Sequence, residues 1–112
     1  VQTADIYGQK GSIEWILTPP VVHNDAAVTK IVKSVTEKFA TVVTPELTLG
    51  AEDFANYMEH VPGCFVFIGT GCPREWHHPA FLVDDAALPF AIQYFVDNTH
   101  ALLEELSQKG NA

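Results

Sequence analysis

Positively charged residues are scarce in this chain. Its 112 residues include six Lys and Arg against fourteen Asp and Glu, which leaves a formal net charge of -8 at pH 7. Proteins bind DNA and RNA chiefly by neutralising phosphates with cationic side chains. The composition therefore excludes nucleic acid as an expected partner.

Long apolar runs are also absent, although 47% of the residues are hydrophobic. No stretch approaches the roughly 18 consecutive apolar residues that indicate a transmembrane helix. The first residues lack the basic start and apolar segment of a signal peptide. We therefore expect a cytoplasmic protein with no membrane partner. Because residue 1 is valine rather than methionine, we also expect the chain to be cut from a longer one.

Cysteine is nearly missing, since the chain contains only Cys64 and Cys72. Two thiols eight positions apart are too few for a disulfide scaffold and match no CxxC motif. Unpaired thiols in a reducing compartment are the favoured interpretation. A local disulfide is the alternative for a secreted protein.

Several catalytic motifs are missing as well. The sequence contains neither a GxSxG elbow nor an HExxH pair, so it does not support a serine hydrolase or a zincin. The turn Gly69-Thr70-Gly71 lacks the length of a GxGxxG motif and the lysine of a P-loop. Nucleotide binding is therefore not expected.

Apolar periodicity and capping residues predict several helices. Tyr7-Gly8 is typical of a helix end with a glycine stop. Asn24 or Asp25 is a candidate cap for a helix over about residues 25–39. A short helix over 52–60 and a long one capped by Asp84 or Asp85 follow. The predicted buried stripe of the last helix comprises Leu88, Ile92, Phe95, Val96, Thr99, Leu102, Leu103 and Leu106.

Three segments have the pattern of short strands. Residues 11–17 alternate in polarity, and 41–43 are rich in β-branched side chains. Residues 64–68 are continuously apolar, which is typical of a strand buried on both faces. Helices on both sides of such a strand would bury it, so we predict the α/β class with helices packed on a small sheet.

The segment Trp76-His77-His78-Pro79 carries the most chemical information. Neutral imidazole is a common ligand of zinc, and aromatic neighbours can shield a site from water. Adjacent residues in extended backbone point in opposite directions, so only one of the two histidines is expected to bind a metal. The alternative is that both are surface loop residues, because a lone pair of histidines is weak evidence.

Gly50, Ala51, Glu52 and Asp53 form a second candidate site. The amides of Gly50 and Ala51 are able to bind an anionic group of a substrate, because glycine allows close backbone approach. The alternative reading is structural, since acidic residues at a helix start are stabilising without any catalytic purpose.

Taken in order, six motifs resemble the C-terminal part of the M20 metallopeptidases and amidohydrolases. The resemblance is closest to enzymes of the aminoacylase, hippurate hydrolase and indole-acetyl-amino-acid hydrolase type. It covers nearly the whole chain. The motifs are residues 20–25, Gly50-Ala51-Glu52-Asp53-Phe54, Pro62-Gly63, residues 67–71, His77-His78-Pro79 and Asp84-Asp85-Ala86-Ala87-Leu88.

The resemblance implies a metal-dependent hydrolase of N-acyl amino acids or small peptides. It implies that residues 1–20 end a lid domain with its last strand and that 21–112 form the C-terminal part of a catalytic domain. The metal is expected to be zinc, with manganese, cobalt or nickel as alternatives. His77 matches the position of the family's final metal ligand, and Gly50, Ala51, Glu52 and Asp53 match a loop that lines the substrate site.

The resemblance places no catalytic residue in this segment, because the water-activating glutamate and the other metal ligands lie N-terminal to it. We therefore expect the isolated chain to be inactive. A second hypothesis is a non-catalytic α/β interaction or structural module. Such a module would expose sheet edges and apolar faces and would form a homo-oligomer.

Overall fold

The computed structural model describes residues 2–16 and 18–110, and in these two ranges it contains helices but no β-strand. The first and third helices are short, whereas the last extends over 24 residues. In chain order the elements are α1 (Gln2–Ile6), α2 (Ala26–Thr36), α3 (Phe54–Met58) and α4 (Ala87–Gly110).

The predicted α/β class is therefore wrong for the described residues, because they contain neither the small sheet nor the preceding lid strand that it included. Residues 11–16, 41–43 and 64–68 form no ladder, and Leu17 lies outside the described residues. A strand exists only through hydrogen bonds to a neighbouring strand. Local sequence pattern favours extended backbone at these places, but no second strand lies beside it.

The α2 helix begins where its sequence predicts. The carboxylate of Asp25 accepts a hydrogen bond from the backbone N–H of Val28 at 2.9 Å, so Asp25 caps α2 as expected. The helix ends at Thr36, three residues before the predicted end, because Lys38 and Phe39 make shorter-range turn bonds to Val35 and Thr36.

The α1 helix ends at the predicted glycine stop. Gly8 has φ +66°, and the N–H groups of Gly8 and Gln9 donate to the carbonyls of Asp5 and Ala4. A left-handed residue after a helix suits glycine because it lacks a Cβ.

The contact between α2 and α4 forms the small core. Val32 and Val35 of α2 are 6% and 8% exposed, and Asn98 of α4 is 4% exposed. The side-chain amide of Asn98 donates to Oγ1 of Thr36 at 3.2 Å and to the carbonyl of Tyr94 at 2.8 Å. Its Oδ1 atom has no hydrogen-bond partner within the described chain. A buried polar residue thus fixes the register of the two helices.

Burial also affects Tyr94, which lies one turn before Asn98 on α4. Desolvation raises the pKa of the Tyr94 phenol above its usual 10.0, and the nearby Cys64 side chain adds to this increase. Cys64 and Cys72 are both unpaired, which confirms the interpretation of free thiols.

The apolar face of α4 does not pack as predicted. The residues expected to be buried lie mostly at the surface, and the helix instead packs the adjacent face that contains Asn98 against α2. Only Leu102 of the predicted set is half-buried. We call the exposed set the α4 stripe; it comprises Leu88, Ile92, Phe95, Val96, Thr99, Leu103 and Leu106.

The chain as a whole is extended. Its radius of gyration is 20.2 Å, whereas a compact domain of this length has about 13 Å. Long irregular segments cause the difference, because residues 41–51 are almost wholly exposed. None of the helices described by the structure combines the length and apolar character needed to cross a membrane.

Candidate functional site

A shallow cavity of about 260 Å³ lies between the loop before α3 and the histidine loop. It brings together four of the five residues that the sequence singled out, namely Gly50, Ala51, Glu52 and His77. Asp53 is exposed and does not contribute to the lining. The remaining lining residues are Thr48, Phe65, Phe67 and Trp76.

His77 has an unusual backbone conformation. Its φ is +67°, in the left-handed region that residues with a Cβ seldom adopt, and no other non-glycine residue of the described chain has a positive φ. Such strain is kept where the surrounding structure holds it and is frequent at functional sites. The conformation lets the chain reverse direction at His77, which lines the cavity.

His78 holds the loop in this shape. Its Nδ1 atom accepts a hydrogen bond from the N–H of Ala80 at 3.0 Å, and its own N–H donates to the carbonyl of Glu75 at 3.2 Å. Its carbonyl accepts from the N–H of Phe81 at 2.9 Å. The two histidines therefore have different surroundings: His78 is bonded within the loop, and His77 lines the cavity.

Aromatic side chains form one wall of the cavity. The rings of Phe65 and Phe67 meet edge to face at 5.2 Å, and those of Phe67 and Trp76 lie 4.9 Å apart with a tilt of 44°. Phe65 also lies beside Phe54 of α3, with 6.1 Å between the ring centroids. Such pairs stabilise each other beyond simple burial. The row connects the histidine loop to α3 and fixes the position of Trp76 beside His77.

The loop before α3 is held by Glu52. Its carboxylate accepts from the N–H of Phe54 at 3.2 Å, and its carbonyl accepts from the N–H of Ala55 at 3.1 Å. Asp53 makes no side-chain capping bond. Glu52 thus has the structural role that was the alternative reading, and it also lines the cavity. The helix α3 is shorter than the predicted 52–60, because it begins at Phe54 and ends at Met58.

Gly50 has free space on its exposed side. A Cβ placed at this residue would meet only the Oγ1 atom of Thr48 at 3.7 Å, an ordinary van der Waals distance. The fold itself therefore does not require glycine at this position.

Asn24, which the sequence offered only as an alternative cap of α2, instead supports the cavity residue Phe65. Its amide group donates to the carbonyl of Phe65 at 2.9 Å and accepts from the N–H of Phe65 at 2.8 Å. The next residue, Asp25, donates its N–H to the carbonyl of Gly63 at 2.9 Å. The sequence contained one sign of this role. Asn24 and Asp25 are both residues that cap helices, and because one helix start needs only one cap, the other side chain is free for a different contact.

The metal-binding side chains at the cavity are too few for a complete metal site. The lining offers the imidazole of His77 and the carboxylate of Glu52. Across residues 2–16 and 18–110, no group of three or more His, Cys, Asp or Glu residues converges. A structural or catalytic zinc takes at least three protein ligands. The imidazole of His77 is chemically suited to be one such ligand, but the described residues do not supply a complete set.

Comparison with known proteins relates this chain to hydrolases. The sequence model of Peptidase family M20/M25/M40 matches residues 9–99. N-acetyl-L-cysteine deacetylase of Bacillus subtilis (strain 168) is 36% identical over 104 residues, which cover 92% of this chain and 25% of the relative. N-acetylcysteine deacetylase of the same strain is 38% identical over 101 residues, covering 89% and 27%.

A plant protein is also similar. IAA-amino acid hydrolase ILR1-like 6 of Arabidopsis thaliana is 34% identical over 79 residues, covering 63% of this chain and 17% of the relative. No solved structure matches the chain significantly. The chain thus spans about a quarter of the length of the two bacterial relatives.

Proposed function

The chain belongs to peptidase family M20/M25/M40, and from this membership we propose that it forms part of an amidohydrolase that cleaves the amide bond of N-acyl amino acids or small peptides. The observation that carries the proposal is the cavity shared by His77 and residues 50–52. Two motifs that lie 25 positions apart in sequence meet there, and both match loops of the family.

His77 is proposed as the one metal ligand of this segment. His77 lines the cavity, whereas the Nδ1 atom of its neighbour His78 is bonded to the loop backbone. The metal is a divalent cation, zinc in the first place, with manganese, cobalt or nickel as alternatives. When bound, such a cation supplies Lewis-acid activation of a carbonyl and of water.

Residues 50–53 are proposed to hold the substrate. Gly50 and Ala51 line the cavity, and their backbone amides are suited to bind the carboxylate of an amino acid, because the chain has few side-chain cations for this task. Glu52 keeps the loop in place through its bonds to Phe54 and Ala55. Asp53 belongs to the rim, since it lies outside the lining.

We further propose that the site is completed by residues outside these 112. A catalytic base and the remaining ligands are needed, and the described residues bring no such group together. In this proposal residues 1–20 belong to a lid domain and residues 21–112 to the catalytic domain.

The test begins with the mass of the species that carries this segment in its source cell. That species and the isolated 112-residue chain are then assayed with zinc for release of free amine from N-acetyl-L-cysteine and from N-acylated amino acids with larger acyl groups. We expect a species several times heavier than 12.3 kDa that hydrolyses at least one of them, and no turnover by the isolated chain. A native species of this mass without hydrolysis would contradict the proposal and favour a non-catalytic module.

A further inference from the structure

The start of α2 holds the backbone that carries the aromatic wall of the cavity. The side chain of Asn24 bonds the carbonyl and the N–H of Phe65, at 2.9 and 2.8 Å. The N–H of Asp25 donates to the carbonyl of Gly63 at 2.9 Å. Of these contacts only those of Asn24 are made by a side chain, so a substitution at Asn24 removes them and leaves the backbone bond in place.

Asn24 itself has a rigid support. Asp25 caps α2 through its bond with the N–H of Val28 at 2.9 Å, and α2 packs against α4. The cap fixes the backbone next to Asn24, which leaves the amide little freedom. A group at the start of a packed helix fixes its partner more precisely than a group on a loop would.

The position of Phe65 is passed to the histidine loop by ring contacts. Phe65 and Phe67 both line the cavity, and their rings meet edge to face at 5.2 Å. The ring of Phe67 lies 4.9 Å from that of Trp76, measured between centroids. Trp76 directly precedes His77, the residue at which the loop reverses direction.

Hydrogen bonds give the histidine loop its shape but do not connect it to α2 or α3. Within residues 2–16 and 18–110, each hydrogen bond of residues 72–83 has its partner inside the same stretch, as those of His78 do. The packing of Trp76 on Phe67 therefore contributes to where the loop lies. A displacement of Phe65 should move these two rings and, with them, the backbone of His77.

We propose that Asn24 is a positioning residue of the candidate site, which sets the place of the histidine loop through Phe65, Phe67 and Trp76. This role presupposes the hydrolase function proposed above. Asn24 does not line the cavity, so it acts through the rings and not by contact with substrate. A misplacement of about 1 Å in an active site can lower the rate about 100-fold, even when its cause lies outside the site.

The test uses the longer hydrolase labelled with fluorotryptophan. Fluorine NMR follows the resonance of Trp76, which is assigned by its loss in Trp76→Phe, and Trp15, at 90% exposure and outside the site, is the internal reference. Asn24→Ala should shift the Trp76 resonance and not that of Trp15. It should also lower kcat/KM about tenfold or more for the N-acyl amino acid that the parent hydrolyses best.

The matched control is Asn98→Ala. It also removes a side-chain amide with two hydrogen bonds, but Asn98 lies in the contact between α2 and α4. At a temperature where all variants are folded, it should leave the Trp76 resonance and kcat/KM nearly unchanged. If Asn24→Ala does not fold, Asn24→Asp takes its place, because it keeps the acceptor for the Phe65 N–H and loses the bond to the carbonyl.

A double-mutant cycle tests the route. Phe65→Leu keeps the backbone groups that Asn24 bonds but removes the ring that meets Phe67. If Asn24 acts through this ring, the combination of Asn24→Ala with Phe65→Leu should lower kcat/KM little further than Phe65→Leu alone. Fully additive losses would reject the route.

Two other results would overturn the proposal. The first is an unshifted Trp76 resonance in Asn24→Ala. The second is an equal loss of activity in Asn24→Ala and Asn98→Ala, which would indicate a general effect of stability. Failure of the proposed function looks different, because the parent itself then hydrolyses no N-acyl amino acid while the fluorine spectra still report the position of Trp76.

Discussion

Asn24 forms both hydrogen bonds of the Phe65 backbone, one to its carbonyl at 2.9 Å and one from its N–H at 2.8 Å. The side chain thereby does for Phe65 what a neighbouring strand would do in a sheet. Because Phe65 lines the cavity, this contact connects the start of α2 to the candidate site.

Replacement of Asn24 by alanine should destabilise the chain. Two partly buried hydrogen bonds are lost, each with a net contribution of about 0.5–1.5 kcal/mol, so we expect a decrease of about 1–3 kcal/mol in the free energy of unfolding. Urea denaturation measures it. Asn56→Ala is the control, because Asn56 is exposed and bonds only within its own turn. Equal effects of the two substitutions would reject the assigned role of Asn24.

The positive φ of His77 leads to a prediction about stability that is separate from metal binding. Asparagine tolerates the left-handed region well, whereas a β-branched residue does not. The free energy of unfolding of His77→Asn should therefore lie within about 0.5 kcal/mol of the parent value, and that of His77→Val should be lower by about 1–2 kcal/mol. The same exchange at His23, an exposed residue without a positive φ, is the reference. Equal stability of the His77→Val and His23→Val variants would show that the backbone at His77 is unstrained.

Gly50 is predicted to affect substrate binding and not the stability of the fold. Gly50→Ala should keep its stability, because the added Cβ meets only Thr48 Oγ1 at 3.7 Å. In the longer hydrolase that we propose, it should raise KM about tenfold or more, since the methyl group keeps a carboxylate from the backbone amides.

The contrast is Gly63→Ala. A Cβ at Gly63 would lie 3.2 Å from Met58 Cγ and 3.3 Å from Phe54 Cε1, so this substitution should lower stability. An unchanged KM in Gly50→Ala would remove Gly50 from the substrate site.

Tyr94 predicts how stability changes at alkaline pH. Its pKa is raised in the folded chain, first by burial and then by Cys64, so the fold favours the neutral phenol. The contribution to stability is fully present below the unfolded pKa of about 10 and is lost as pH rises through the folded-state value. Above pH 10 the melting temperature of the parent should therefore fall more steeply with rising pH than that of Tyr94→Phe. Identical slopes would contradict the shift.

Local features of the fold were predictable from the sequence. Asp25 caps α2 and Gly8 ends α1, because both depend on residues within one turn of each other. The position of α4 was also predicted, since Asp84 precedes it and its Oδ1 atom accepts from the N–H of Ala86 at 2.9 Å.

Long-range features were not predictable in this way. Residues 64–68 have the composition of a buried strand, but a strand needs a partner that local pattern does not supply. On α4, apolar periodicity predicted burial of the α4 stripe, but the adjacent face that contains Asn98 is the one packed against α2. Asn98 donates a hydrogen bond to Thr36, which lies 62 positions away in the sequence. The side-chain amide of Asn24 bonds the backbone of Phe65, which lies 41 positions away in the sequence. The local sequence around either residue does not predict this contact.

The sequence motifs predicted which residues lie close together, whereas the chemical roles of these residues stay predictions. Motifs related Gly50, Ala51, Glu52, Asp53 and His77 to one family site, and the cavity contains all of them except Asp53. The metal and substrate roles remain predictions, because the described residues hold no complete ligand set.

The metal content of the native protein tests the central claim most directly. It is measured per chain by elemental analysis for the parent, for His77→Asn and for His78→Asn, whose new side-chain amide keeps an acceptor for the Ala80 N–H. We predict that His77→Asn loses divalent metal and that His78→Asn retains the parental amount. Full retention of metal in His77→Asn, or its equal loss in both variants, would contradict the assignment of His77 as the ligand of this segment.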